Sequence, residues 1–260
     1  MLKAISYTLI FAGIQMLVSA LAMLLVPLIG DGSWAGSPYV LVVSMAVFSL
    51  VSIVVFLWAG WAQVSREYLQ SRPWAVLFWC VIAAIGVVVP SMALQEQMPE
   101  LPNIVEEQLA EIMNTHGGYF VIALLAPLAE ELVFRGAVLR SLLAWRPESR
   151  WRMVFVSAVL FALIHMNPAQ MPHAFLMGFL LGLLYERTGS IVPGVAFHWT
   201  NNTLAFVLFK LYPDPSIRLI DILGSGRNVG AAVIFSLFIL LPAIYQLHLR
   251  MQRPAQNRHC

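Results

Sequence analysis

Two adjacent glutamates, Glu130 and Glu131, stand in the middle of an apolar stretch, and Arg135 follows them in the same stretch. A charged side chain near the centre of a bilayer costs at least about 2.5–3.5 kcal/mol on insertion scales. On a helix, Glu131 and Arg135 share a face, whereas Glu130 points about 100° away from Glu131. The spacing predicts a buried Glu131–Arg135 ion pair and leaves Glu130 without a partner on its own helix. The alternative is that all three residues only hold helices together.

Further polar residues stand within or at the ends of apolar stretches. His165 ends the segment Phe161-Ala-Leu-Ile-His165, and His198 shares a helix face with Asn202, four residues later. With a rise of about 1.5 Å per residue, Glu130, His165 and His198 lie about 15, 20 and 12 Å from the cytoplasmic ends of their spans. These similar depths favour a common site. The alternative is that His165 is an interface residue and His198 merely bonds a backbone carbonyl.

These residue types in one site could hydrolyse a peptide bond. Glu130 could take a proton from water with the help of His165, and His198 and Asn202 could donate hydrogen bonds to the developing oxyanion. The competing arrangement is a metal site, in which Glu130, His165 and His198 hold zinc or another divalent ion with a water as fourth ligand. The local His-Glu-x-x-His motif is absent, so such a site would join three helices. The residues leave both arrangements open.

The composition indicates an integral membrane protein. Of the 260 residues, 60% are hydrophobic and only 11% are charged, and the mean hydropathy is +0.80. Soluble domains average about 45–50% apolar and about 25% charged residues. The net charge of +2 does not suggest a nucleic-acid binder. We therefore expect the chain to lie among membrane lipids, and we do not expect it to bind nucleic acid.

The hydropathy pattern predicts an all-α, polytopic bundle of about eight transmembrane helices, with the active site among spans four to seven. The predicted spans cover residues 5–29, 39–62, 74–93, 119–141, 151–166, 171–186, 190–212 and 229–249. With both termini cytoplasmic, eleven of the fifteen Lys and Arg residues lie inside, as the positive-inside rule requires. We expect a multi-pass protein of a bacterial inner (plasma) membrane.

The chain is expected to divide into three regions. Residues 1–118 form a three-span region with an acidic outer loop, 119–212 form the catalytic core, and 213–260 comprise an outer loop, the last span and a cytoplasmic tail. Within the acidic loop, the stretch from Asn103 to Asn114 predicts a short interfacial helix, with Asn103 as its N-cap.

Three motifs, taken together, resemble those of a known family. Glu130-Glu131-x-x-x-Arg135, Phe161-x-x-x-His165 and His198-x-x-x-Asn202 are similar, in order and spacing, to the motifs of the CAAX protease and bacteriocin-processing (Abi) family. These are intramembrane endopeptidases, similar to the type II CAAX prenyl endopeptidase of eukaryotes. The resemblance covers about residues 119–210.

The resemblance implies that Glu130 and His165 activate water and that His198 and Asn202 form the oxyanion hole. It also implies a protein or peptide substrate, lipidated in the eukaryotic branch, and leaves open whether a metal cofactor takes part. The runner-up interpretation is a non-catalytic membrane scaffold, or an immunity or regulatory protein of the same family. A transporter is disfavoured because no inverted repeat is visible and the polar residues cluster in one half of the chain. Substrate, cleavage site and oligomeric state cannot be predicted from the sequence.

Overall fold

The computed structural model describes residues 1–28, 37–214 and 217–251, and the regular elements within these ranges are all helices. The prediction of an all-α fold is confirmed for them. A helix satisfies its own backbone hydrogen bonds, as an apolar environment requires. Most of the cytoplasmic tail predicted after the last span falls on residues 252–260, which lie outside the described residues. In chain order the α-helices are α1 (Leu2–Leu25), α2 (Pro38–Trp58), α3 (Arg66–Gln70), α4 (Trp74–Gln95), α5 (Glu106–Asn114), α6 (Ala126–Val133), α7 (Arg140–Trp145), α8 (Arg150–Ile164), α9 (Met171–Thr188), α10 (Val192–Leu211), α11 (Leu219–Leu223) and α12 (Gly226–Arg250).

Four helices among the described residues are long and apolar enough to cross a membrane: α1 with its extension to Leu28, α2, α4 and α12. They coincide with the first, second, third and eighth predicted spans. The stretches predicted as spans four to seven are also helical, from α6 to α10. Membrane helices are thus supported, while the full count of eight spans stays a prediction.

The helical run that carries the two glutamates changes its pitch twice. It runs from Phe120 to Trp145, and π-helical segments at Phe120–Leu125 and Phe134–Leu139 flank α6. Pro127, in the first turn of α6, has no amide hydrogen to continue the α-helical pattern, and the wider turns precede it. The second π-helical segment, which contains Arg135, is buried along its whole length.

A shell of neighbouring helices encloses this run. Phe134 packs edge-on against Phe11 of α1 and Phe161 of α8, at ring-centroid distances of 5.6 and 5.1 Å. On α9, Gly182 faces Val154 of α8, where a Cβ atom would lie 2.9 Å from a valine methyl group. This small residue lets α8 and α9 pack closely. The polar residues of α6 are therefore held by packing on several sides.

The short helix predicted within the acidic loop exists, but its N-terminus differs from the expectation, and its interfacial position stays a prediction. Helix α5 begins at Glu106 and its N-cap is Val105, so the prediction of Asn103 as N-cap is wrong. The side chain of Asn103 instead bonds the side chains of Glu106 and Asn167. A tertiary partner has thus displaced the local capping arrangement. The buried Ile112 of α5 belongs to a small apolar cluster with Val42 of α2.

Candidate active site

Glu131 and Arg135 form a buried ion pair. Arg135 Nη1 donates to Glu131 Oε1 at 2.7 Å, and the two side chains are 1% and 0% exposed. Arg135 Nη2 also donates to the carbonyl of Gly178 on α9 at 3.1 Å. The guanidinium lies 4.5 Å from the centre of the Phe161 ring on α8, within the range of a cation–π contact. The pair therefore connects the glutamate helix with α8 and α9.

Glu131 has a second partner that helix periodicity does not show. His198 Nδ1 of α10 lies 3.3 Å from Glu131 Oε1, the same oxygen that Arg135 contacts. Helix α10 can approach so closely because Gly194 faces the carboxylate, where a Cβ atom would collide with Glu131 Oε2. The Glu131 carboxylate therefore contacts His198 of α10 as well as Arg135.

The same histidine also approaches the other glutamate. His198 Nε2 lies 3.8 Å from Glu130 Oε2, and the Glu130 side chain is 20% exposed where that of Glu131 is fully buried. The imidazole thus stands between the two carboxylates. A ring that donates from Nδ1 to Glu131 is fixed in orientation and presents Nε2 toward Glu130.

His165 is placed at the end of α8, where it follows the last helical residue, Ile164. Its Nδ1 lies 2.8 Å from the carbonyl oxygen of Phe161, so Nδ1–H donates to this carbonyl. In the neutral ring Nε2 then carries no proton and can accept one. The ring therefore has the tautomer that a proton acceptor needs.

Glu130 and His165 line one cavity of about 300 Å³, which we call the site cavity. Its other walls come from α1, α2, α5 and the turn between α8 and α9. Three glutamines, Gln15, Gln108 and Gln170, add polar groups to this wall. Such a cavity has room for water and for a peptide segment beside the carboxylate.

Two further cavities continue the site cavity along the gap between α1 and α2. Leu41, Ser19 and Ser44 line both the site cavity and a neighbour of about 300 Å³. This neighbour shares Val40 and Ser44 with a third cavity of about 370 Å³, which has an almost wholly apolar wall. The three cavities thus adjoin one another along α1 and α2, with the site cavity at the end that Glu130 lines.

Asn202 lies on α10 but points to a different neighbour. Its Nδ2 donates to the carbonyl of Ile122, in the first π-helical segment, at 3.1 Å. Among the described residues, neither His198 nor Asn202 lines the site cavity. The structure thus brings Glu130 together with His165 on the cavity wall and with His198 beside it, but it does not bring Asn202 to that wall.

A metal centre does not fit the described side chains as they are placed. No group of three or more His, Cys, Asp and Glu residues among them is arranged to hold a metal ion. Nδ1 of His165 and Nδ1 of His198 each face an oxygen of the protein, so Nε2 is the nitrogen that either ring could offer to an ion. In this placement, however, Glu130, His165 and His198 do not form a group that could hold one.

A third histidine near the site was not predicted from the sequence. His173, near the start of α9, is close enough to His165 and His198 to interact electrostatically with both. The glutamines of the cavity wall were also missed. A polar residue such as Gln15 within an otherwise apolar span is the signal that could have indicated them.

One family model matches the part of the chain that carries Glu130, His165 and His198. Residues 114–204 match the family model of the type II CAAX prenyl endopeptidase Rce1-like proteins. The chain carries an Rce1-like region. The family prediction is thereby confirmed, and the Rce1-like region contains all six residues singled out in the sequence: Glu130, Glu131, Arg135, His165, His198 and Asn202.

The Rce1-like region supports a protease at the level of the family, and the apolar helices fit a membrane protein. It falls largely within the predicted core of residues 119–212. The boundaries of the three predicted regions stay a prediction. Searches among curated proteins and among solved structures gave no match.

Proposed function

We propose that this protein is an intramembrane endopeptidase that hydrolyses a peptide bond with water activated by Glu130 and His165. The observation that carries the proposal is that both side chains, which belong to the Rce1-like region, line one cavity. Glu130 is an acid–base group in contact with a cavity, and His165 presents an acceptor nitrogen fixed by its bond to Phe161. Positioned groups of these two kinds can transfer protons in general acid–base catalysis.

In the proposed reaction, the Glu130 carboxylate takes a proton from water, which His165 Nε2 helps to orient. The water oxygen forms a bond to the carbonyl carbon of the substrate, and the carbonyl oxygen becomes an oxyanion. Collapse of the tetrahedral intermediate breaks the C–N bond, and the protonated Glu130 returns its proton to the leaving amine. Water is consumed and no covalent intermediate with the protein is formed.

His198 and Asn202 are proposed to stabilise the oxyanion. His198 can donate to the oxyanion from Nε2 while Nδ1 donates to Glu131, at 3.3 Å, when both ring nitrogens carry a proton. Asn202 uses one N–H for the carbonyl of Ile122 and retains a second N–H. Substrate would have to draw Asn202 toward the cavity for this role.

The substrate is proposed to be a protein or peptide that reaches the site from the membrane, with lipidated chains included. The row of adjoining cavities along α1 and α2, which is almost wholly apolar at the end away from Glu130, supports access from the lipid. In the proposed topology both termini are cytoplasmic, in a bacterial inner membrane.

Comparative labelling of protein N-termini tests the function. Cells that produce the wild type, Glu130→Ala or His165→Ala are compared for new termini in their membrane proteins. The exposed Glu148→Gln serves as the matched control, because Glu148 lies far from the cavity wall in a surface ion pair. We expect termini that occur with the wild type and the control but vanish with both site variants. Termini that persist in both site variants would favour a non-catalytic scaffold.

A further inference from the structure

Helix α5 covers the site cavity from one side. Val105, at its N-cap, and Gln108, Leu109 and Ile112, on one face, line this cavity together with Glu130 and His165. The helix is only nine residues long, and its one buried residue, Ile112, belongs to a small apolar cluster with Val42 and Val121. Apolar packing alone stabilises so short a helix only weakly, so its position over the cavity depends on its polar attachments.

At the end of α5, Lys210 Nζ of α10 donates to Asn114 Oδ1 at 2.9 Å. At its start, the attachment is the side chain of Asn167, in the turn between α8 and α9. Asn167 is 0% exposed. Its Oδ1 accepts from the backbone N–H of Ile104 at 3.0 Å, and its Nδ2 donates to Asn103 Oδ1 at 2.8 Å. The backbone N–H of Ala169 also donates to the carbonyl of Pro102, at 3.2 Å. The turn and the segment before α5 are therefore bonded at three points.

Asn167 is also two residues from His165. Between them, Met166 has a left-handed backbone with φ of 47°, which costs a non-glycine residue about 1–3 kcal/mol and persists only where neighbours enforce it. The carbonyl of Asn167 accepts from the N–H groups of Gln170 and Met171, at 3.0 and 3.1 Å. The side chain and the backbone of Asn167 thus fix both ends of a strained turn that begins at His165.

We propose that Asn167 is a positioning residue that fastens α5 over the site cavity and, through the same turn, sets the place of His165. That the cavity is catalytic rests on the proposed function. Whether Asn167 fastens α5 does not, because bonds to residues 103 and 104 can be measured without any substrate.

The direction of the hydrogen bonds gives a specific test. Asn167 Nδ2 donates to Asn103 Oδ1, and Asn103 Nδ2 donates to Glu106 Oε2 at 2.9 Å. Asn167→Asp removes the first donor and brings two acceptors together. If the Asn103 amide turns over, its oxygen meets the Glu106 carboxylate instead. Adding Glu106→Gln supplies a donor there and allows the whole chain of bonds to run in the opposite direction.

Hydrogen exchange of residues 103–114, measured by mass spectrometry on the full chain in lipid nanodiscs, reads the attachment. We expect exchange in this segment to rise about tenfold in Asn167→Asp, as for the loss of about 1.4 kcal/mol in hydrogen bonding. It should return to within about threefold of the wild type in Asn167→Asp/Glu106→Gln. Glu106→Gln alone should change little, since a glutamine oxygen still accepts from Asn103. Asn228→Ala, which removes a comparable bond to the Leu223 carbonyl, is the matched control.

Cleavage of the substrates found by terminal labelling is measured on the same variants. We expect cleavage to fall about tenfold in Asn167→Asp and to recover in the double variant, which a merely destabilising substitution would not do. Unchanged exchange in Asn167→Asp, or no recovery in the double variant, would overturn the proposal. If Asn167→Asp does not fold, Asn103→Ala breaks the same bond from its exposed end and must raise exchange in residues 103–114. If the wild type cleaves nothing while exchange behaves as expected, the proposed function fails but the attachment stands.

Discussion

Replacement of Glu131 by glutamine tests the ion pair at the centre of the bundle. The substitution keeps the shape of the side chain but leaves the Arg135 guanidinium charged, 1% exposed and without its anion. Its remaining described partners are the Gly178 carbonyl and the Phe161 ring, and the Glu130 carboxylate interacts with it electrostatically from a greater distance than a hydrogen bond. Removal of one member of a buried pair costs about 3–5 kcal/mol, because the other charge stays buried and uncompensated. This is a large part of the roughly 5–15 kcal/mol that separates folded from unfolded domains.

The assay is thermal unfolding of purified protein in detergent. A loss of 1 kcal/mol lowers Tm by about 2–4 °C in chains of 150–250 residues, so Glu131→Gln should lower Tm by about 6–20 °C. Glu148→Gln is the matched control, because the Arg146–Glu148 pair is 55% and 60% exposed and such pairs contribute about 0–1 kcal/mol. Its Tm should change by no more than about 4 °C.

A double substitution separates charge from shape. Glu131→Gln combined with Arg135→Met removes both charges, and we expect it to be less damaging than Glu131→Gln alone, since no uncompensated charge remains. If Glu131→Gln has the Tm of the wild type, the ion pair does not hold the fold together. If the double variant is as unstable as the single one, the lost stability comes from packing and not from the buried charge.

Other substitutions test the neighbouring contacts. Gly194→Ala should push α10 away from Glu131 and cost about 1–3 kcal/mol by overpacking, whereas Gly230→Ala, with open space around its Cα, should be neutral or slightly stabilising; equal Tm values for both would contradict the close approach of α10. Asn202→Ala should lower the cleavage rate by about 100-fold, as for the loss of one oxyanion donor. If the variant changes Tm but not the rate, Asn202 has only a structural role, through its bond to the Ile122 carbonyl. Cleavage should persist in a chelator such as EDTA if glutamate and histidine activate the water. If the chelator abolishes cleavage and added zinc restores it, the metal alternative is favoured instead.

The sequence predicted those parts of the site that depend on helix period. Glu131 and Arg135 are four residues apart, and this spacing alone indicates that they can pair. The cost of inserting charged groups into a membrane also indicated a functional site, but it did not assign a role to each residue. The all-helical fold followed from composition, because a chain with 60% hydrophobic residues must satisfy its backbone internally.

Contacts between helices could not be read from the sequence. The approach of His198 to Glu131 depends on how closely α10 packs at Gly194, and His173 joins the histidines only through the placement of α9. Asn103 looked like an N-cap because local pattern was the only guide, while its true partner, Asn167, is 64 residues away. Asn202 shares a helix face with His198 but bonds the Ile122 carbonyl, and periodicity alone does not reveal that neighbour.

The proposed function depends above all on the Glu130 carboxylate, which we expect to activate the attacking water. The most direct measurement compares single-turnover cleavage by the purified wild type and Glu130→Gln in proteoliposomes, on a substrate found by terminal labelling. Glutamine keeps the shape and cannot take the proton, so we expect a rate at least about 100-fold lower, with a Tm like that of the wild type. A Glu130→Gln variant that folds and cleaves at the wild-type rate would contradict it.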